Sequence, residues 1–205
     1  MRQHPEQMKS LGHAMAMQRE EHWIEHYDVL FSIGSFTPAE GSALLVDVGG
    51  GFGQQAAAFV KKFGDVQGRI VVQDIPETLS RALAVDGIEF QVQDFFSPQS
   101  IKGAKFYYLR HILHDWTDTD CTRILSNIVP AMGPESRVII DEVVLPNEKV
   151  PWQAAYMDLT MMASLGGIER TRKEYEALLG GVGLKVLEMK RYDAKMQSVI
   201  VAGLK

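Results

Sequence analysis

The stretch LLVDVGGGFGQQAAAFV, residues 44–60, combines an apolar strand, a glycine-rich turn and the first turns of a helix. In this arrangement backbone N–H groups and a helix N-terminus approach a ligand closely, so the stretch predicts a cofactor site. The pattern does not complete the dinucleotide fingerprint, because counting from Gly49 puts Gln54 where a small residue is required. The lysine-containing phosphate loop is also excluded, since no Gly-Lys-Ser or Gly-Lys-Thr follows the glycines.

The pattern that remains is Asp-x-Gly-x-Gly-x-Gly, which begins at Asp47 and includes Gly49 and Gly51. A carboxylate just before the turn repels a pyrophosphate and attracts an ammonium group. Asp74 ends the second predicted strand, where an acidic residue can accept both hydroxyls of a ribose. These residues predict a nucleoside-containing cofactor that carries a positive charge.

A third carboxylate, Asp94, closes the third predicted strand and is followed by Phe95. A carboxylate beside an aromatic ring can hold an adenine amino group and stack on its ring. Three carboxylates at three successive strand ends form a row along the ligand-binding edge of an α/β sheet.

Short apolar runs alternate with helical stretches from residue 41 onward, which predicts an α/β fold. The predicted sheet has seven strands, with helices on both faces; the strands cover residues 43–48, 69–73, 88–93, 105–109, 136–142, 184–190 and 197–202. The first five alternate with helices and are expected to be parallel. Only RYDAKM separates the last two, a hairpin-length connection that predicts an antiparallel last strand. Before this region, residues 5–31 carry apolar residues at a helical period and predict one or two amphipathic helices.

Composition narrows the class of protein. The 205 residues are 46% hydrophobic and 23% charged, as in a folded globular domain. Twenty-one Lys and Arg against 26 Asp and Glu give a net charge of −5, so no basic excess is present for nucleic acid. No run of about 18 apolar residues occurs, so we expect no membrane span. Cys121, the single cysteine, cannot form an internal disulfide and suits a reducing compartment, so the cytoplasm is the expected location.

Together these motifs resemble the class I S-adenosylmethionine-dependent methyltransferases, and specifically the caffeic-acid-type small-molecule O-methyltransferases of plants and fungi. The resemblance covers nearly the whole chain and rests on VDVGGGFG at 46–53, QDIPETL at 73–79, QDFF at 93–96, YYLRHILHDWTDTDCTRIL at 107–125, VIIDEVVLP at 138–146 and MDLTMMASLGGIERTRKEY at 157–175. It implies a Rossmann-like methyltransferase fold, S-adenosylmethionine as cofactor, and methyl transfer to a hydroxyl of a small aromatic or polyketide-like secondary metabolite.

His114 is the candidate general base. It follows the fourth predicted strand and is expected at the same sheet edge as the cofactor carboxylates. An imidazole accepts a proton near neutral pH, and it needs a partner on its other nitrogen that orients it and stabilises its charged form. The resemblance implies that Glu142 and Glu169 frame the histidine in this way.

Other residues have predicted roles around this base. Met157 and Met161 are spaced to share one helix face that could clamp an aromatic acceptor, as the resemblance implies, although such a pair can also be plain core. Asp115 is placed on the acceptor side. Arg110 could pair with the carboxylate of the cofactor or with Asp94, and a cofactor-side role is favoured. The spacing of His111 and His114, with Asp115, has the composition of a metal site, but the resembled family needs no metal and we expect none.

Members of the resembled family normally carry an additional N-terminal domain that makes a dimer and contributes a wall of the acceptor pocket. Residues 1–40 are expected to form linker helices and residues 41–205 the methyltransferase domain, so that wall is missing here. We therefore expect a homodimer or a second chain.

Two alternatives remain. One is a cofactor-binding homologue that does not methylate, either a cyclase-like enzyme or a partner subunit. The other is a nicotinamide oxidoreductase, against which Gln54 and the final hairpin count.

Overall fold

The computed structural model describes residues 22–194 and 196–205. In this part of the chain eight strands and six α-helices are present. The strands are β1 (Leu45–Val48), β2 (Ile70–Asp74), β3 (Glu89–Val92), β4 (Phe106–Arg110), β5 (Arg137–Leu145), β6 (Arg170–Thr171), β7 (Leu184–Arg191) and β8 (Gln197–Leu204). The helices are α1 (Val29–Ile33), α2 (Gln54–Phe63), α3 (Pro76–Leu79), α4 (Asp118–Ile128), α5 (Trp152–Leu165) and α6 (Arg172–Gly181).

The main sheet has the order β3-β2-β1-β4-β5-β8-β7, and β6 pairs with β5 outside this path. Strands β1 to β5 are parallel to one another, while β8 runs antiparallel to both β5 and β7. The predicted seven-stranded, mostly parallel sheet with an antiparallel last strand is therefore confirmed. The structure also contains β6, which was not predicted. This strand is two residues long and therefore too short to produce a period in the sequence.

Helices cover both faces of the sheet, so alternate residues of the central strands enter two separate cores. In β4, Tyr107 and Leu109 pack in one core with residues of α4 and α6. Phe106 and Tyr108 pack in the other, with residues of α2. Burial on both faces explains why the central strands are almost continuously apolar.

The chain before β1 differs from its prediction. Residues 5–21 of the predicted helical stretch lie outside the described part. From residue 22 onward the chain forms a 3-10 turn, Trp23–Glu25, followed by α1. Asp28 separates the two, because its side chain accepts a hydrogen bond from the Phe31 backbone N–H as an N-cap. Trp23 is fully buried against Tyr108, with ring centroids 5.0 Å apart. The division of the chain at residue 40 stays a prediction.

The parallel strands end at one edge of the sheet, and this edge brings the candidate site residues together. The glycine turn follows β1, Asp74 ends β2, the segment 111–115 follows β4, and Glu142 lies within β5. Among the described residues, no helix has the length and apolar character that a membrane span requires.

Candidate active site

The glycine turn follows β1 and is built for close backbone approach. Gly49 and Gly51 have φ values of +70° and +59°, in the left-handed region that favours glycine. A Cβ added at Gly49 would lie 2.6 Å from Cδ1 of Ile112, and one added at Gly50 would lie 2.5 Å from Cγ of Asp47. Side chains at either position would fill the space between the turn and its surroundings. The N–H groups of Gly49 and Gly50 donate to the Gln73 carbonyl oxygen, so the turn is tied to the end of β2 at the sheet edge.

One carboxylate oxygen of Asp47 lies beside this turn without a hydrogen-bond donor. Its side chain is buried, and among the described residues its Oδ2 atom has no hydrogen-bond partner. Burial, reinforced by the nearby charge of Asp74, raises the pKa of Asp47 to about 7. A buried carboxylate in this state favours a ligand that brings a positive charge or a hydrogen-bond donor.

Asp74 connects the end of β2 to the glycine turn. Its Oδ2 accepts a hydrogen bond from the Gly51 backbone N–H at 2.9 Å, and its Oδ1 accepts one from the Ile75 N–H at 2.7 Å. Each carboxylate oxygen has a second lone pair, so both can still accept a ligand hydroxyl.

Asp94 and Phe95 lie on the neighbouring loop. The Asp94 carboxylate is exposed and accepts a hydrogen bond from the Phe96 N–H at 2.8 Å. The Phe95 ring lies 3.6 Å from the position of a Cβ on Gly49, so it borders the glycine turn. The structure thus brings Phe95, the glycine turn and Asp74 to one edge.

Arg110 forms an ion pair with Asp141, a residue that the sequence analysis did not identify. Asp141 is fully buried and accepts further hydrogen bonds from Tyr108 Oη at 2.7 Å, Tyr192 Oη at 2.7 Å and Gln197 Nε2 at 2.9 Å. Arg110 also donates to Tyr192 at 3.2 Å. Its predicted cofactor-side role stays a prediction.

His114 lies in a 3-10 turn, Leu113–Asp115, with only 8% of its surface exposed. Its Nδ1 atom lies 3.1 Å from Oε1 of Glu169 and 3.7 Å from Oε2 of Glu142. Glu142 also holds the turn, because its Oε1 accepts hydrogen bonds from the Ile112 and Leu113 N–H groups, both at 2.9 Å. Three residues that are far apart in sequence therefore form one buried group.

The charges of this group are strongly coupled. Burial alone lowers the pKa of His114, but the charges of Glu142 and Glu169 outweigh burial and raise it to about 9. Burial raises the pKa of Glu142 to about 7. Among the described residues, the Oε2 atoms of both glutamates have no hydrogen-bond partner. Such a pair of carboxylates stabilises a positive charge on the imidazole.

Arg170 fixes the position of this turn, and sequence reasoning did not identify it. The buried guanidinium donates to the carbonyl oxygens of Leu113 and Trp116, both at 2.7 Å. The loop before it packs closely on the same turn, since the Ile168 N–H donates to the His114 carbonyl at 2.8 Å. The position of Arg170 directly after Glu169 was the available signal.

The residues predicted on the acceptor side are described only in part. Asp115 Oδ1 lies 3.5 Å from Nε2 of His114, and burial raises the pKa of Asp115. Met161 is half-buried on α5. The side chain of Met157 lies outside the described part of the structure.

The metal alternative takes a different form in the structure. Ligand atoms of His114, Glu142 and Glu169 lie within 4.8 Å of one another, a spacing that a metal ion accepts. This set replaces the His111, His114 and Asp115 set that the sequence suggested. The expectation that no metal is used stays a prediction.

Comparison with known proteins identifies the family of the chain. The family model of the O-methyltransferase domain matches residues 5–185. The chain is 55% identical over 202 residues to demethylsterigmatocystin 6-O-methyltransferase of Aspergillus parasiticus, covering 98% of this chain and 52% of that protein. It is also 55% identical to demethylsterigmatocystin 6-O-methyltransferase stcP of Emericella nidulans, covering 98% of each. The chain therefore spans about half the length of the first relative and almost all of the second.

Two solved structures share the fold. LepI in complex with SAM superposes with a TM-score of 0.91 at 33% identity, covering 98% of this chain and 53% of that one. A structure described as a pericyclic reaction enzyme gives a TM-score of 0.92 at the same identity and coverage. The predicted Rossmann-like methyltransferase fold is confirmed. Because the family model matches most of the sequence, the chain belongs to the O-methyltransferase domain family.

Proposed function

We propose that this chain transfers a methyl group from S-adenosylmethionine to a hydroxyl of a small aromatic or polyketide-like secondary metabolite. The observation that carries the proposal is the position of His114, buried between Glu142 and Glu169 at the sheet edge that also holds the glycine turn. The fungal relatives named above are O-methyltransferases of such a metabolite, which supports the same substrate class.

The residues at the edge fit this cofactor. The unpartnered Oδ2 of Asp47 would accept from the cofactor ammonium group, and Asp74 from the ribose hydroxyls. Gly49 and Gly51 would leave room for the cofactor beside the turn, and Asp94 with Phe95 would hold its adenine. Arg110 would interact with the cofactor from the same side. When bound, S-adenosylmethionine supplies an electrophilic methyl group.

His114 would act as general base in the transfer. Its Nδ1 faces Glu169, which leaves Nε2 for the proton of the acceptor hydroxyl. As the hydroxyl oxygen gains the methyl group, its proton passes to Nε2, and Glu142 with Glu169 stabilises the resulting imidazolium. Holding the two reactants in line supplies roughly 7–11 kcal/mol of the acceleration.

The acceptor would lie against Asp115, next to the base, and against the helix face that Met157 and Met161 are predicted to share. Several large apolar side chains of α5 are exposed, namely Trp152, Tyr156, Leu159 and Met162. Such a surface supports a homodimer or a second chain that completes the pocket. The lone, buried thiol of Cys121 supports a cytoplasmic location.

Calorimetric titration with S-adenosylmethionine and S-adenosylhomocysteine tests the cofactor site. We expect micromolar binding by the 205-residue chain. Asp74→Asn should lower the affinity at least about tenfold, because a charge-assisted acceptor is removed. The control Asp86→Asn, which changes an exposed carboxylate elsewhere, should leave the affinity unchanged. Transfer of a labelled methyl group to hydroxylated aromatic acceptors, lost in His114→Ala, then tests the reaction. A folded chain that binds neither compound contradicts the proposal.

A second candidate is a homologue that binds the cofactor without methylating. The similarity to a pericyclic reaction enzyme favours it. This candidate predicts cofactor binding with no release of S-adenosylhomocysteine for any acceptor. Retention of the whole His114 group favours methylation.

A further inference from the structure

A second imidazole lies beside the proposed base. The ring centroid of His111 is 5.2 Å from that of His114, and the side chain of His111 is half-buried. The backbone φ of His111 is +50°, in the left-handed region that a non-glycine residue adopts only where the surrounding structure holds it. The ring is therefore held in place at the edge where the acceptor is expected.

A chain of hydrogen bonds decides which nitrogen of His111 carries hydrogen. The buried Asp141 carboxylate only accepts, so Gln197 directs its Nε2 amide group to Asp141 Oδ1, at 2.9 Å. The amide oxygen of Gln197 then faces Nε2 of His111, at 3.2 Å. Because an amide oxygen only accepts, Nε2 of His111 is the donor.

His111 is also kept neutral. Burial, and to a smaller extent the positive charges of Arg110 and His114, lowers the pKa of His111 to about 4. A neutral imidazole with its hydrogen on Nε2 has a lone pair on Nδ1. His114 is arranged in the opposite sense, because its Nδ1 faces Glu169 and its Nε2 is left for the substrate. Nδ1 of His111 can therefore accept a hydrogen bond from a donor that lies next to the hydroxyl held by His114.

We propose that Nδ1 of His111 binds a second hydroxyl of the acceptor, next to the hydroxyl that His114 deprotonates. The preferred substrates are then aromatic compounds with two hydroxyls at ortho or peri positions. This inference rests on the proposed function of His114. It also predicts a single methylation, because the methylated oxygen no longer donates to His114 while the second hydroxyl stays bound to His111.

Equilibrium binding tests this specificity without turnover. Dissociation constants of 2,3-dihydroxynaphthalene and 2-naphthol are measured for the 205-residue chain saturated with S-adenosylhomocysteine. We expect the diol to bind about fivefold to tenfold more tightly, the contribution of one hydrogen bond. His111→Gly suits the positive φ, and Gln197→Met keeps the side-chain volume while removing the amide. His111→Gly should bring the two constants to within about twofold, whereas Gln197→Met, which leaves only part of the molecules with hydrogen on Nε2 of His111, should reduce the preference by about half.

Nitrogen chemical shifts of labelled histidine give an independent readout. His111 should carry hydrogen on Nε2 at pH 7, and Gln197→Met should shift the proton toward a mixture of both nitrogens. Equal binding of the two compounds by the wild type, a preference that survives His111→Gly, or hydrogen on Nδ1 would overturn the inference. Neither readout needs methyl transfer, so failure of the proposed reaction and failure of this inference remain distinguishable.

Discussion

Replacing Glu169 by glutamine should weaken the base and move its working range in the same experiment. The pKa of His114 is about 9 against an ordinary value of 6.5. At roughly 1.4 kcal/mol per pH unit, the carboxylates stabilise the imidazolium by about 3 kcal/mol beyond the cost of burial. Glu169 makes the 3.1 Å hydrogen bond, and half of this free energy corresponds to roughly tenfold to thirtyfold in rate.

The protonation state of His114 determines the direction in which kcat/KM changes with pH. His114 accepts a proton only when neutral, so kcat/KM should rise with pH toward about 9 and be lost below it. Glu169→Gln keeps the shape of the side chain but removes its charge, which lowers the pKa of His114. The rising limb of the kcat/KM profile should move to lower pH by about one unit or more. The value of kcat/KM on the alkaline plateau should fall roughly tenfold to thirtyfold.

The assay is methyl transfer at subsaturating acceptor from pH 6 to pH 10, with Glu135→Gln, an exposed glutamate away from the site, as control. General damage to the structure lowers the plateau without moving the limb. A rising limb that stays in place in Glu169→Gln, or one near pH 6.5 in the wild type, would refute the assignment of His114 and Glu169.

Two further predictions concern buried charges. Asp47→Asn should lower affinity for S-adenosylmethionine about tenfold or more in calorimetry. Because the folded-state pKa of Asp47 is raised to about 7 from 3.8, its ionisation costs stability as pH rises through this range, and urea unfolding of the variant should lack that loss. Arg170→Met should destabilise the fold by roughly 2–4 kcal/mol in urea unfolding, because two carbonyl oxygens each lose a charged hydrogen-bond donor; unchanged stability would contradict its role in holding the turn.

The position of the glycine turn was predictable from sequence because its signals are local. A buried strand, a turn that needs glycine and a following helix lie within residues 44–60, and the fold places them as the pattern predicts. Asp74 was predictable because it ends a strand, and parallel strands end at the same edge. Neither step required a contact between distant segments to be known in advance.

The ion pair between Arg110 and Asp141 was not predictable in this way, because it depends on strand register. Arg110 and Asp141 are direct partners in the pairing of β4 with β5, and periodicity carries no information on register between strands. Glu169 was predicted as a site residue only through the family resemblance. Its contact with His114 depends on β6, which pairs with β5 over two residues.

The placement of unpartnered polar atoms connects stability with function. Among the described residues, seven buried side-chain atoms have no hydrogen-bond partner, and four of them are carboxylate oxygens at the strand-end edge, in Asp47, Asp115, Glu142 and Glu169. Three of these carboxylates surround the single imidazole of His114, and burying more negative than positive groups costs free energy, so a sequence selected for stability alone would replace some of them. Their concentration at one edge, beside the glycine turn, is what a site requires if it binds a cationic cofactor and a hydroxyl that loses its proton. The same carboxylates that cost stability on burial therefore supply the electrostatic basis of the proposed reaction.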